Sequence, residues 1–148
     1  MTSPKTPRVV AIAVRTVENG PMREIESVRA HQDGGIDGDL PVEPDRGITL
    51  MAREQWEEVT GELAVELPWH TRRANLLVEG LQMSDLLDQR LHVGEVELKI
   101  TGETKPCGLM DQQHGGLRQA LVPDLRGGVH GRVVRGGEIA VGDVISIK

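Results

Sequence analysis

The clearest periodicity lies in the second half of the chain. Val96, Leu98 and Ile100 alternate with Glu97, Lys99 and Thr101, the period-two signature of a strand with one buried face. Ile145 and Ile147 alternate with Ser146 and Lys148 in the same way. Residues 9–14 are all apolar, which predicts a strand buried on both faces. Ile25 and Val28 alternate less regularly with charge and predict a second strand over 24–30. Short strands are expected over 48–51 and 75–78. Ala52, Trp56 and Val59 fall at i, i+4 and i+7, so a helix over 52–60 is expected, with Glu54, Glu57 and Glu58 on a solvated face. Gly61 stands where a helix C-terminal glycine belongs. Ser84 is placed to cap a brief helical turn through Leu87.

A weak internal echo relates the two alternating regions. Leu-His-Val-Gly-Glu-Val at 91–96 resembles Ile-Ala-Val-Gly-Asp-Val at 139–144, each with a glycine and an acid between short apolar segments. Corner glycines of this kind fit a sheet curled on itself. The expected fold is mainly β: a small, largely antiparallel barrel with one or two short helices. Eighteen glycines and eight prolines agree, since tight turns must join many short elements. The organisation expected is a flexible leader over 1–8 and one domain over 9–148. A chain of 148 residues buries enough surface to need no disulfide or zinc.

Composition narrows the function. Phe and Tyr are absent and Trp56 and Trp69 are the only aromatics, so the core is aliphatic. A net charge of −6 with no basic block argues against nucleic acid as a partner. The apolar run at 9–14 is too short to span a bilayer, and a cytoplasmic, non-membrane protein is expected. The lone Cys107 can form no internal disulfide. No Walker A loop, GxGxxG, HExxH or GxSxG occurs, and five histidines are scattered without metal-ligand spacing.

Three segments carry candidate chemistry. In Thr104-Lys-Pro-Cys-Gly108, Pro106 and Gly108 would stiffen the backbone around Cys107 at a strand end, with Lys105 and His114 available to stabilise a thiolate. On spacing alone a lone cysteine is more often inert packing. In Arg72-Arg-Ala-Asn-Leu76, adjacent guanidiniums and an amide suit an anion, although a solvated arginine pair fits too. Gly35-Ile-Asp-Gly-Asp39 lacks the EF-hand register and reads better as a turn.

Order and flanks add a resemblance. GIDGD, an ITL strand with its helix, RRANLLVEGLQMSDLL, LHVGEVELKITGETKPC and GGVHGRVVRGGEIAVGDVISI, taken in sequence, resemble the MOSC family, named for the C-terminal part of molybdenum cofactor sulfurase. The resemblance runs from about Val9 to Ile147. It implies a β-barrel-like fold and makes Cys107 the functional sulfur, as a persulfide carrier or as a molybdenum ligand. The implied cofactor, molybdopterin, carries a phosphate. Arg73 and Asn75 are the matching pocket candidates, with Lys105, Arg46 and Arg132 as further cofactor-binding candidates. Relatives commonly continue the GxxGD loop with a basic residue and histidine, whereas Leu40 and Pro41 follow Asp39 here.

Two functions follow from that resemblance. One is reduction of an N-hydroxylated compound at a Cys107-ligated molybdenum, with electrons from a separate electron-transfer protein. The other is sulfur carriage on Cys107, loaded by a pyridoxal-phosphate-dependent cysteine desulfurase. The competing class is a non-catalytic MOSC-like module that binds another anion or a partner protein, and the Leu40–Pro41 departure points that way.

Overall fold

A computed structural model describes residues 6–148. The expected leader falls mostly outside the described residues. Within them, the Pro7 carbonyl accepts a hydrogen bond from Ile145 N, and Arg8 already heads the first strand.

Ten strands and three α-helices make up the described residues. The strands are β1 (Arg8–Arg15), β2 (Met22–Ile25), β3 (Ser27–Ala30), β4 (Ile48–Ala52), β5 (Leu76–Glu79), β6 (Arg90–Val93), β7 (Val96–Glu103), β8 (Val129–Arg135), β9 (Gly137–Ala140) and β10 (Ile145–Ile147). The helices are α1 (Arg53–Leu63), α2 (Gly108–Gln113) and α3 (Leu117–Ala120), one more than expected. Eight strands form one sheet in the order β10-β6-β7-β8-β4-β5-β1-β2, and β3 pairs with β9 separately. The sheet is antiparallel except at β4–β5, whose parallel pairing follows from the α1 crossover between them.

The expected barrel is not closed by its strand ladder. β10 and β2 are free ends of the pairing order, and the curled sheet meets itself through the isolated Arg8–Val144 bridge and the flanking backbone bonds from Ile145 N to Pro7 O, Val9 N to Asp143 O and Gly142 N to Val9 O. The expected 24–30 strand divides at Glu26, with β2 on the large sheet and β3 on the small one. Its imperfect alternation is the trace of that change of sheet.

Two apolar cores explain why several strands read as unbroken hydrophobic runs. Ile48, Leu50, Ala52, Leu76 and Val78 face the principal core, while Met51 and Leu77 turn to a second one under the helices. That second core is closed by Trp56, Val59, Met110, Leu117 and Leu121. In β1, Val9, Ile12 and Val14 face the principal core and Val10 and Ala11 the other. The parity changes because the β1–β5 register slips between Val9 and Ala11, where an extra residue flips the facing.

Local expectations are corrected at several points. α1 starts at Arg53, after Ala52 ends β4, and runs past Gly61 to a left-handed cap at Ala64, φ 52°. The turn Met83–Asp85 is flanked by Gln82, so Ser84 lies inside it and is not its cap. The α1 acids are not simply solvated. Glu54 Oε2 accepts from Gly80 N at 2.8 Å, and Glu58 and Glu62 both accept from the buried Arg126 guanidinium. In β10 Ile145 is buried but Ile147 is half exposed, because this strand lies at the sheet edge. The echoed segments do form strand–turn–strand corners, with Gly94 at φ +57° and Gly142 at φ +95°.

Candidate functional site

The end of β1, the approaches to β4 and β5 and the segment after β7 converge on a cleft of about 450 Å³. Its lining includes Arg15, Arg46, Arg72, Arg73 and Lys105 around Cys107, with Glu43 the one carboxylate among them. Thr49, Thr104, Pro41, Val42, Leu109 and Met110 complete it. Five cations thus gather in a chain whose net charge is −6.

Each cation is held differently. Arg15 forks onto Asp39, with Nε at 3.1 Å from Oδ1 and Nη2 at 2.8 Å from Oδ2. Asp39 is the last residue of the Gly-Ile-Asp-Gly-Asp turn, so that turn orients an arginine. No group of three metal-ligating side chains occurs there or elsewhere among the described residues. Arg73, at φ 67°, donates to the carbonyls of Gly20 and Val17 in the β1–β2 turn. Burial, the neighbouring Arg15 charge and, in opposition, Asp39 leave its basicity below the ordinary value. The side chains of Arg46, on the exposed turn Pro44–Arg46, and of Lys105 have no hydrogen-bond or ion-pair partner among the described residues.

Arg72 is buried behind the cysteine segment. Its Nε donates to Gly127 O at 2.8 Å and its Nη2 to Thr104 O at 2.6 Å. Burial pushes its pKa down to about 10, opposed by the charge of Cys107 and increased by that of Arg46. The 127–128 turn fits closely against this assembly. A Cβ at Gly127 would lie 3.0 Å from Thr104 O and 3.3 Å from both Arg72 Nη2 and Pro106 Cδ. Thr104 N in turn donates to Gly128 O at 2.9 Å.

Cys107 is exposed and free, in extended conformation (φ −122°, ψ 178°) just ahead of α2. The residue is exposed and lines the cleft, unlike an inert packing cysteine. Thr104 Oγ1 is buried without a hydrogen-bond partner. The donor set therefore combines one accessible thiol, two unpaired cations and an unsatisfied hydroxyl.

The remaining candidates lie elsewhere. Asn75 is fully buried and outside the cleft lining. Its Oδ1 accepts from Thr49 N and Oγ1, both at 3.0 Å, and its Nδ2 reaches Ala13 O and Asp39 Oδ2, both at 3.3 Å. It knots β1, β4 and the Asp39 turn together beneath the cations. Arg132 projects from β8 to Asp33 and Asp45 at 2.8 and 3.1 Å, tethering the turn that bears Arg46. His114 ends α2 and does not line the cleft. Arg15 and Thr49 were not singled out in the sequence. The charge that ends the 9–14 apolar run was the available signal for Arg15.

No helix among the described residues is long and apolar enough to cross a membrane. No curated protein matches the sequence. The fold is shared with the YuaD protein from Bacillus subtilis, at TM-score 0.79 and 19% identity over 95% of this chain and 94% of that one. YiiM from Geobacillus stearothermophilus matches at TM-score 0.76 and 17% identity, over 96% of this chain and 75% of that one. YiiM from Escherichia coli matches at TM-score 0.74 and 16% identity, over 95% and 69%. The MOSC domain family model matches residues 37–146, which include Arg46, the arginine pair and Cys107, and the chain belongs to the MOSC domain family.

Proposed function

We propose that the cleft holds the anionic part of the molybdenum cofactor and that Cys107 is its sulfur centre. The observation that carries this reading is an exposed, unpartnered thiol among five cationic side chains of an acidic chain. The residues fit the group. Arg46 and Lys105 would hold its phosphate, Arg46 by forked charge-assisted bonds, and the Cys107 thiolate is a soft ligand suited to the metal. Arg15 is oriented by Asp39, and Arg73 closes one side of the cleft. When bound, the cofactor supplies two-electron redox chemistry beside the thiolate. Reduction of an N-hydroxylated compound then consumes two electrons and two protons and releases water, with electrons from a separate flavin or iron–sulfur protein. Leu40 and Pro41 stand where relatives commonly offer a cation and an imidazole, and Pro41 lines the cleft, so the phosphate would lean on Arg46 and Lys105.

The exposure of Cys107 also supports a carrier role, because a macromolecular sulfur donor could reach it. There the Cys107 thiolate attacks the outer sulfur of a desulfurase persulfide, the sulfur–sulfur bond of the donor breaks, and the desulfurase cysteine departs as a thiolate.

Purification from molybdenum-replete cells, with and without Cys107→Ala, tests the first reading. Wild type should carry molybdenum and pterin and the variant should lose the metal. Neither in either sample refutes it and leaves a binding module. Intact-mass analysis after exposure to a cysteine desulfurase tests the carrier. One added sulfur atom on wild type alone supports it, and an unchanged mass rules it out.

A further inference from the structure

A second cleft, of about 350 Å³, adjoins the first across Arg73, which lines both. It lies between the β1–β2 turn, the turn Trp69–Arg72 and the end of α2. Its chemistry is unlike that of its neighbour. Pro21, Met22 and Pro68 give apolar surface, while Asn19, His70, Thr71 and Gln113 offer donors and acceptors. None of those four polar side chains has a hydrogen-bond partner among the described residues. No carboxylate lines the cleft, and its one fixed charge, Arg73, is already engaged by the Gly20 and Val17 carbonyls.

A few unengaged polar groups over an apolar floor, in a volume near the lower end for small-molecule sites, suit a compact neutral ligand. An anion would be drawn past this cleft to the neighbouring cations, two of them unpaired. An uncharged ring compound gains nothing from those cations. It can lay its faces on Pro21, Met22 and Pro68 and exchange hydrogen bonds with His70 and Gln113.

We propose that this second cleft is the subsite for the body of an uncharged, ring-sized organic substrate that both donates and accepts hydrogen bonds, with His70 and Gln113 setting its specificity. Arg73 divides the substrate side from the cofactor side. The assignment as a substrate subsite rests on the reading of the first cleft given above. The preference for a neutral ligand does not.

Amide NMR titrations of the full chain separate the two. The probes are benzamide, the isosteric anion benzoate, and inorganic phosphate. Benzamide should move the resonances of Gly20, Met22, His70, Thr71 and Gln113 with millimolar affinity, the ordinary strength for so small a ligand. Benzoate and phosphate should instead move Arg46, Lys105 and Cys107. The paired substitution His70→Ala and Gln113→Ala, in a protein whose remaining spectrum matches wild type, should weaken benzamide at least several-fold and leave phosphate unchanged. Gln113→Glu, which keeps shape and adds a charge, should weaken benzamide too. The inference is overturned if benzamide leaves the second cleft unmoved, moves the Cys107 segment instead, or binds the paired variant as well as wild type. Phosphate that fails to move Lys105 would count against the cofactor reading alone.

Discussion

Replacing Gly128 with alanine tests how tightly the turn behind the cysteine segment is fitted. Gly128 sits at φ +100°, and a Cβ there would lie 2.3 Å from the Leu50 carbonyl oxygen and 3.5 Å from Met51 Cβ. The backbone conformation alone costs an alanine about 1–2 kcal/mol. The oxygen contact is more than an ångström inside ordinary packing distance, and Leu50 belongs to an interior strand that cannot retreat. Relief must come from the turn, at the expense of the Thr104 N to Gly128 O bond and the Leu50–Val129 pairing. Each lost hydrogen bond is worth about 1 kcal/mol net. The combined loss is about 3–4 kcal/mol, and at about 2–4 °C per kcal/mol the melting temperature should fall by roughly 6–16 °C. Gly142→Ala is the control, because at φ +95° it has nothing within 4 Å and carries the conformational term alone. Urea denaturation followed by circular dichroism, with calorimetry for the melting temperature, measures both. Equal destabilisation of the two variants would refute the close fit of this turn against β4.

Three further outcomes follow from the geometry. Gly61→Ala should stabilise the chain by about 0.5–1 kcal/mol in urea titration, because Gly61 is inside α1 with open space around it; a loss would restore the capping role. Arg72→Met leaves the Thr104 and Gly127 carbonyls without their donor, at about 1–3 kcal/mol each, offset in part by relief of a guanidinium whose burial pushes its pKa down to about 10. Global stability should therefore fall less than two orphaned carbonyls imply, while hydrogen exchange at Thr104, whose amide donates to Gly128 O, quickens, and unchanged protection there would refute the anchoring. Lys148 and, more weakly, Arg90 hold the Glu97 carboxyl below its ordinary range, against the opposing effect of burial. Its stabilisation is present above the unfolded-state pKa of about 4.3 and lost as pH falls through the lower folded value, so Glu97→Gln should flatten the acid limb of stability against pH. Superimposable curves for the two proteins would contradict this.

The parts of the fold visible in the sequence are those fixed by local alternation. Val96, Leu98 and Ile100 announced β7, and the glycine–acid corners at 94–95 and 142–143 announced two turns between strands. What stayed hidden depends on partners distant in sequence. The imperfect alternation around Glu26 does not by itself say that β3 leaves one sheet for another, because that is decided by pairing with β9 more than a hundred residues later. Glu58 looks like part of a solvated helix face until Arg126, which it shares with Glu62, arrives from the other end of the domain. The same applies to the site. Cys107 and the arginine pair stood out, yet which arginine backs the sulfur was not readable, since Arg72 is assigned by carbonyls at 104 and 127. Asn75 was marked by its motif, but its amide joins β1, β4 and the Asp39 turn and does not line the cleft.

The bonds of Arg72 also set an order of events for a chain emerging from the ribosome. Arg72 is made early, Cys107 later, and Gly127, which completes the clasp, later still. Until the last of these docks, Cys107 lies on a loose segment, remote from the arginines contributed by residues 15 and 46. Its cationic surroundings are a product of tertiary assembly and are complete only when the last quarter of the chain has been made.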